Sequence, residues 1–441
     1  MGLHMCLLLF KNRATALEKA VIGALCLALL SGCGNNSRTM TSGNPVQQPG
    51  GNAPGADTMQ SAIILSANAT STGTTSQLNV SGDLRSMNIV GAIKHVGINP
   101  VHAAIIGTDV VVANQDSGTL SVYPVTAGSN APVQTVMLPS TIPNVADAQP
   151  VFVASTDKSN VYVAQRGRNS VEVVSLSTLS AIKEINDFSI SGPDSIVQLP
   201  NGGDIYVANQ GSNLVTVIDP VTLNVKTRVS VGSIPSSVVA SSDGNCVYVA
   251  DQGTNDVVVI RTSDHVVRGR IGVGVGPTFL LFDPKLQRVY AVNTSGNSIS
   301  IINHAADCSA SSSTLVMVGI NPQSITALSD GTRAYVASID GVVTVINTSD
   351  NTVRKSIPVA VVVPGINPKV SIGSSADGTR VYVTSNGNPN LLDFPANFSP
   401  GSIAVIGTSD DSVVFQLNSA STPPAPSLPG APTPQFVLMN P

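Results

Sequence analysis

An all-β fold is predicted by three observations along the 441 residues. β-Branched and turn-forming residues abound, while only 11% of residues are charged and 4% aromatic, which is the composition of short strands joined by tight turns. A unit of roughly forty residues recurs through most of the chain. Within that unit apolar residues do not fall at helical spacing.

The repeat is clearest in two copies, PSSVVASSDGNCVYVADQGTNDVVVIRTSDHVVRGRIGVG from Pro235 and PDSIVQLPNGGDIYVANQGSNLVTVIDPVTLNVKTRVSVG from Pro193. Each divides into four strand-sized segments, A to D. In the first copy the Pro-led segment 235–240 is inner strand A, and Ser242-Asp243-Gly244 is a hairpin whose glycine can take positive φ. Segment 247–250, VYVA, is strand B, apolar on both sides as a strand enclosed between neighbours must be. Strand C follows at 257–260 and outer strand D at 266–273, and Gly274-Val275-Gly276-Pro277 crosses to the next unit. With strand B as marker, Val111, Tyr162, Tyr206, Tyr248, Tyr290, Tyr335 and Tyr382 stand 51, 44, 42, 42, 45 and 47 residues apart. A four-stranded unit cannot hide its apolar faces alone, so seven units predict a single seven-bladed β-propeller of antiparallel blades. Closure of the ring is open, because both 87–96 and 412–417 read as D strands and either could pair at the seam.

VYVA or VYVT followed by Asn or Asp, then V-x-V-I and a Gly-x-x-Pro crossing, resembles the YVTN-type β-propeller repeat of surface-layer and YncE-like proteins. The resemblance covers roughly residues 86–418. It implies a propeller and little about activity, since unrelated functions share that architecture. The first unit departs most, with Val110-Val111-Val112-Ala113 in place of the aromatic and a long passage from Pro124 to Pro150.

Ahead of the repeats, Lys11, Arg13 and Lys19 precede an apolar run from Ala20 to Leu30, too short to span a bilayer and of signal-peptide dimensions. The run ends in Leu30-Ser31-Gly32-Cys33, which looks like the lipobox of bacterial lipoproteins. The expectation is a signal at 1–32 and acylation of Cys33, which would hold the chain on the membrane. By the sorting rule of such lipoproteins, Gly34 in place of Asp favours the outer membrane. Residues 33–60 are rich in Gly, Asn, Pro and Gln and read as a flexible tether, 61–418 as the propeller, and 419–441 as a Pro-rich tail in which Phe436-Val437-Leu438 could dock on the body.

Loss of the signal shifts the formal charge from −4 to −6; a mildly acidic chain without basic runs is a poor nucleic-acid ligand. Export would leave Cys246 and Cys308 in an oxidising compartment. They lie in neighbouring repeats, which permits a bridge without requiring one, and two independent thiols are the expectation.

Binding residues are sought where B–C turns and D–A crossings meet around the channel. That face carries Asn114, Gln115, Gln165, Asn209, Gln210, Asp251, Gln252, Asn293 and Asn386, whose amides and carboxylate could bind a sugar, a peptide or an ion. Equally, Asn, Asp and Gly occur in such turns for their left-handed conformations and local hydrogen bonds. The seventh B–C turn is enlarged and carries Leu391, Leu392, Phe394 and Phe398, a candidate contact loop for a partner or for the protein's own rim. Catalysis has thin support. No metal-ligand or haem-attachment spacing occurs and no cofactor is expected. Lactonase-like propellers are the nearest enzymatic likeness; on that reading His102 would be the base, with Arg166 or Arg168 beside the oxyanion. The reading put first is an envelope-anchored scaffold that binds a ligand or an envelope protein. A lactone hydrolase and a self-assembling surface component are the alternatives.

Overall fold

Strands form where the repeat places them. β1 (Ser61–Asn68), β2 (Ser71–Asn79) and β3 (Lys94–Ile98) precede the first crossing. The first repeat is β4 (Pro100–Ile106), β5 (Asp109–Asn114), β6 (Thr119–Pro124) and β7 (Gln134–Met137), and the second β8 (Pro150–Ala154), β9 (Asn160–Gln165), β10 (Ser170–Ser175) and β11 (Ser180–Asn186). The third is β12 (Pro193–Gln198), β13 (Ile205–Asn209), β14 (Leu214–Ile218) and β15 (Val225–Ser230), and the fourth β16 (Pro235–Ala240), β17 (Cys246–Asp251), β18 (Asp256–Arg261) and β19 (Val266–Gly272). The fifth is β20 (Pro277–Asp283), β21 (Arg288–Asn293), β22 (Ser298–Asn303) and β23 (Ser313–Met317). The sixth is β24 (Pro322–Ala327), β25 (Arg333–Ser338), β26 (Val342–Asn347) and β27 (Thr352–Pro358). The seventh is β28 (Val370–Ser374), β29 (Arg380–Ser385), β30 (Ser402–Gly407) and β31 (Ser412–Asn418), and β32 (Thr433–Met439) ends the series. This computed structural model describes residues 61–68, 71–79, 94–126, 131–140, 147–309, 312–359, 369–385, 402–418 and 433–439. All of them fall in one compact unit, Thr58–Pro441.

Each of the seven repeats forms one four-stranded antiparallel sheet, as the sequence predicts, and the fold is a β-propeller. The ring contains one sheet more than the seven repeats. β3, β2 and β1 form an eighth four-stranded sheet with β32, in the order β3-β2-β1-β32, and β1 pairs antiparallel with β32 from Ala62 opposite Met439 to Ala67 opposite Thr433. Inner strands pack on one another in turn from β4 through β28, then β28 on β32 and β32 on β4. Among the described residues the ring is therefore closed by strands from both ends of the chain joined in one sheet, with β32 packed between β28 and β4. Both D-strand readings at the seam are accounted for: β31 is the outer strand of the seventh repeat and β3 that of the closing sheet. The propeller extends past 418 to take in β32, part of the expected tail.

Burial follows from this stacking. The second strand of a blade lies between two sheet neighbours and two adjacent blades, so every residue of β13 and β17 is buried. Tyr162, Tyr206, Tyr248, Tyr290, Tyr335 and Tyr382 are among the largest enclosed side chains. Packing is between blades: Tyr206, Val215 and Val217 of the third repeat meet Val238, Val247 and Val258 of the fourth. Outer strands alternate instead, as in β19, where exposed Arg268 and Arg270 flank the chain's outer edge and Ile271 turns inward.

The expectation of two free thiols is corrected by the structure. Cys246 at the start of β17 and Cys308 in the turn between β22 and β23 form a disulfide with Cα atoms 5.6 Å apart. Sequence separation could not reveal this proximity; the ring places the outer hairpin of one blade against the start of strand B in the preceding one.

Candidate functional site

The D–A crossings and B–C turns define one face, and both are built by the repeat. Gly97, Gly232, Gly274 and Gly319 open crossings in which the backbone runs against the last residue of the next strand B. A Cβ on Gly232 would lie 2.7 Å from Asp251 Cβ, and one on Gly319 would lie 2.8 Å from Ser338 Cβ, closer than real atoms approach, so glycine is required there. The residue before each proline is left-handed, with φ of 53° at Asn99, 44° at Gln149, 57° at Gly192, 58° at Ile234, 66° at Gly276 and 50° at Asn321. Asparagines of the B–C turns hold this bend. Asn169, Asn213, Asn255 and Asn297 accept the backbone N–H of Gly192, Ile234, Gly276 and Asn321 at 2.7, 3.1, 2.7 and 2.8 Å.

After the proline each inner strand slips its register against strand B. The shift falls between Pro100 and His102, Pro150 and Phe152, Pro193 and Ser195, Pro235 and Ser237, Pro277 and Phe279, and Pro322 and Ser324. One residue in each of six blades is thus a β-bulge without a ladder partner: Val101, Val151, Asp194, Ser236, Thr278 and Gln323. A bulge re-aims its side chain and is a recurrent device beside binding sites. The six bulges open innermost strands at the end where the crossings enter, and several of their side chains meet a neighbouring blade: Val101 and Val151 pack against inter-blade cores, Ser236 Oγ donates to Pro277 O at 3.0 Å and Gln323 Oε1 accepts the Val370 N–H at 2.9 Å. Sequence reasoning named none of these residues; the left-handed position before proline was the available signal.

Several residues predicted for this face lie beneath it. Asn114, Gln165, Asn209, Asp251 and Asn293 end their B strands fully buried. The Asn114 amide donates to Thr119 Oγ1 and Ser121 Oγ at 3.1 and 3.0 Å, Asn209 to Thr216 Oγ1 at 3.0 Å, and Asn293 to Ser298 Oγ and Ser300 Oγ at 3.1 and 3.0 Å. These asparagines brace their own turns. In the fourth repeat Asp251 takes the asparagine's place and Val258 that of the hydroxyl, and Asp251 Oδ2 itself accepts the Gly232 N–H at 2.8 Å. Among the described residues no donor reaches Asp251 Oδ1. Burial first, and the Asp256 carboxylate, push its carboxyl up to about 7 against the pull of the Gly232 N–H and Arg270. In the second repeat Gln165 faces Glu172, which burial and then Glu184 raise to about 7.

Gln115, Arg166, Gln210 and Gln252 are the predicted residues that stay partly exposed at the mouth. Arg166 donates to Asp194 Oδ1, and Gln210 Nε2 donates to Asp194 Oδ2 at 2.6 Å. A guanidinium, a carboxylate and an amide from the second and third repeats are thereby brought together. Asn386 and the loop residues Leu391, Leu392, Phe394 and Phe398 lie outside the described residues, as does Cys33.

The catalytic candidates are placed in structural roles. His102 Nδ1 accepts the backbone N–H of Val153 at 3.3 Å, just as Ser195 Oγ accepts that of Val238 at 3.3 Å and Ser237 Oγ that of Leu280 at 3.1 Å. Its ring stacks on Phe152 at 3.8 Å, and burial lowers its pKa to about 3. His102 is thus a neutral acceptor tying one inner strand to the next. Arg168 forms a paired contact with Glu184, Nε to Oε1 at 2.7 Å and Nη2 to Oε2 at 2.6 Å, and has Asp147 Oδ2 3.6 Å from Nη1. Among the described residues no group of three or more His, Cys, Asp or Glu side chains could hold a metal ion.

No family model matches the chain, and no curated protein matches it. Solved structures do. The dihydro-heme d1 dehydrogenase NirN matches with TM-score 0.63 at 12% identity, over 89% of this chain and 77% of its own. AztD from Citrobacter koseri matches with TM-score 0.59 at 13% identity, over 86% and 98%. Virginiamycin B lyase from Staphylococcus aureus matches with TM-score 0.51 at 17% identity, over 65% and 91%. At these identities the likeness concerns the propeller fold alone.

Proposed function

We propose that this chain is an envelope-anchored binding propeller of the YVTN-type repeat family, acylated at Cys33, that takes a ligand or partner at the channel mouth on its B–C and D–A face. The observation that carries the reading is the set of six inner-strand bulges. The framework around them repeats from blade to blade, yet the bulged positions hold Val, Val, Asp, Ser, Thr and Gln. Five residue types at six equivalent bulges on a repeated framework are the pattern of a scaffold that varies what each blade presents at that edge. The Cys246–Cys308 disulfide supports export, because such bonds persist in oxidising compartments. Binding is preferred to lactone hydrolysis because His102 Nδ1 is engaged by Val153 and the two arginines are held by Asp194 and Glu184.

Hydrogen exchange on the full chain, with and without extract of its native cell envelope, tests the site. Protection confined to the crossings and B–C turns is expected; protection on the opposite face, or none, overturns the proposal. Mass spectrometry of the membrane-extracted protein should find acyl mass on Cys33 and none in a Cys33→Ala form.

A further inference from the structure

We propose that residues 262–265, the turn between β18 and β19, form a latch on the third repeat that holds at neutral pH and lets go in acid, with His265 as the group that takes the proton. The turn reaches across the blade seam to β13. His265 Nδ1 lies 2.7 Å from the Tyr206 hydroxyl, and His265 Nε2 lies 3.5 Å from Asp204 Oδ2. The Asp204 carboxylate, paired with Lys226, only accepts, so Nε2 carries the hydrogen of the neutral ring. Nδ1 is left to accept the Tyr206 O–H, which stays protonated because burial, then Asp204 and Asp264, push the phenol above its ordinary range. Neutral imidazole thus satisfies both partners across the seam.

A second proton goes to Nδ1, where it meets the phenol hydrogen and ends that bond. Asp204 cannot compensate the new charge in full, because Lys226 Nζ already donates to the same Oδ2 at 2.8 Å, and Asp264 is paired with Arg261. Burial first, and Lys226, accordingly hold the imidazole below its ordinary 6.5 against the pull of Asp204 and Asp264. With the folded value below the unfolded one, this contribution is whole above about pH 6.5 and is lost as pH falls through the folded value. The side chains of His265 and Asp204 are each 14% exposed, so solvent protons reach the pair.

The same three residue types meet at the next seam. His304 Nδ1 lies 2.8 Å from the Tyr248 hydroxyl and His304 Nε2 lies 3.4 Å from Asp243 Oδ2. Descent from one repeat does not account for this. His265 is the left-handed residue of its hairpin, as Cys308 is of the next, whereas His304 heads its turn as Thr262 does, their N–H groups donating to Gln287 O and Asn245 O. Two unequal positions arrive at one arrangement. Of these two seams the disulfide fixes the second, holding the outer hairpin of the fifth repeat on the fourth, so the acid response is confined to the first. Asp251 and Glu172, both raised to about 7, add stability toward acid, so the blades hold while the turn lets go.

Hydrogen exchange on the whole protein, compared at about pH 5 and about pH 7.5 and corrected for intrinsic rates, tests the latch on either side of an ordinary histidine. Segments 199–206 and 261–267 should lose protection on acidification, and 304–308 should keep it. His265→Gln retains an acceptor and an N–H but takes no proton, and should abolish the difference. Tyr206→Phe removes the O–H donor and should give the acid pattern already at the higher pH. If either variant lowers the unfolding midpoint, nuclear magnetic resonance titration of His265 in the unaltered chain carries the comparison, with a midpoint below that of the unfolded chain expected. An acid response that survives His265→Gln, equal loosening at 304–308, no effect of Tyr206→Phe, or a His265 midpoint at or above the unfolded value overturns the proposal.

Discussion

Cys246 is bonded to Cys308 across the seam between the fourth and fifth repeats, and the same two positions are joined without a covalent bond at the following seams. Arg288, which opens β21 as Cys246 opens β17, donates to Thr348 O at 2.8 Å and to Asn351 Oδ1 at 3.3 Å. Arg333, which opens β25, donates to Thr408 O and to Asp411 Oδ1, each at 2.5 Å. Cys308, Asn351 and Asp411 are each the left-handed residue of an outer hairpin, with φ of 58°, 58° and 55°. One mechanical position thus holds neighbouring blades together by a disulfide, by polar hydrogen bonds or by an ion pair.

For the covalent seam, loop-closure entropy over a separation of 62 residues gives about 4 kcal/mol of stabilisation. A Cys246→Ser and Cys308→Ser double variant should lose most of that in denaturant titration and keep its strand content. An unchanged midpoint would mean that ring closure already restrains the two blades and that the bond adds nothing.

At the ionic seam Asp411 is fully enclosed and accepts from Arg333, from Arg354 Nε at 2.8 Å and from the Tyr335 hydroxyl. Asp411→Ala strands a guanidinium and a phenol at the blade interface, a loss of about 3 kcal/mol given that Arg333 keeps some access to water. Thermal unfolding should report it, and Arg354→Ala, at the exposed end of the same group, should cost less than half as much.

The repeat, its four strands and the Gly-x-x-Pro crossing were legible because each copy encodes them within one stretch of chain. The eighth sheet was not, since its strands come from both ends and β1 lacks the tyrosine. Ala67-Asn68 does repeat the Ala-Asn that closes β5 and β13, at Ala113-Asn114 and Ala208-Asn209. On the candidate face, sequence alone could not separate a turn-bracing asparagine from an exposed one. The distinguishing mark is a hydroxyl seven residues on, Ser121 after Asn114, Thr216 after Asn209 and Ser300 after Asn293. Asp194 escaped notice because a bulge needs both strands of the ladder to be seen.

Ile234 is a β-branched residue at φ 58°, where the equivalent places hold Asn99, Gln149, Gly192, Gly276 and Asn321, none of them β-branched. The left-handed region costs an L-residue roughly 1–2 kcal/mol, and asparagine tolerates it best after glycine. Ile234→Asn should therefore raise stability by about 1 kcal/mol in thermal or chemical unfolding. A loss instead would show that the side chain makes contacts worth more than the strain.

Asp251 gives a pH dependence of definite sign. Its carboxyl is raised from 3.8 to about 7 in the folded chain, so between those values the folded form binds more protons than the unfolded one, and stability must fall as pH rises. The contribution is intact below about pH 4, declines through the window and is lost above about pH 7, with an upper bound of roughly 4 kcal/mol from a shift of about three units. Glu172 is raised to about 7 as well and adds a slope of the same sign, so the Asp251 part has to be isolated by difference. Asp251→Asn together with Val258→Ser would install the amide and hydroxyl found at Asn293 and Ser300, a pair that satisfies itself without a charge. The double variant should lie below the wild type by a constant margin up to about pH 4, the cost of trading buried Val258 for a hydroxyl, gain on it steadily up to pH 7 and hold a constant difference beyond. A difference curve that is flat, or that rises toward acid, would mean that Asp251 is ionised in the folded protein, with Arg270, 3.8 Å from Oδ2, as its counter-charge.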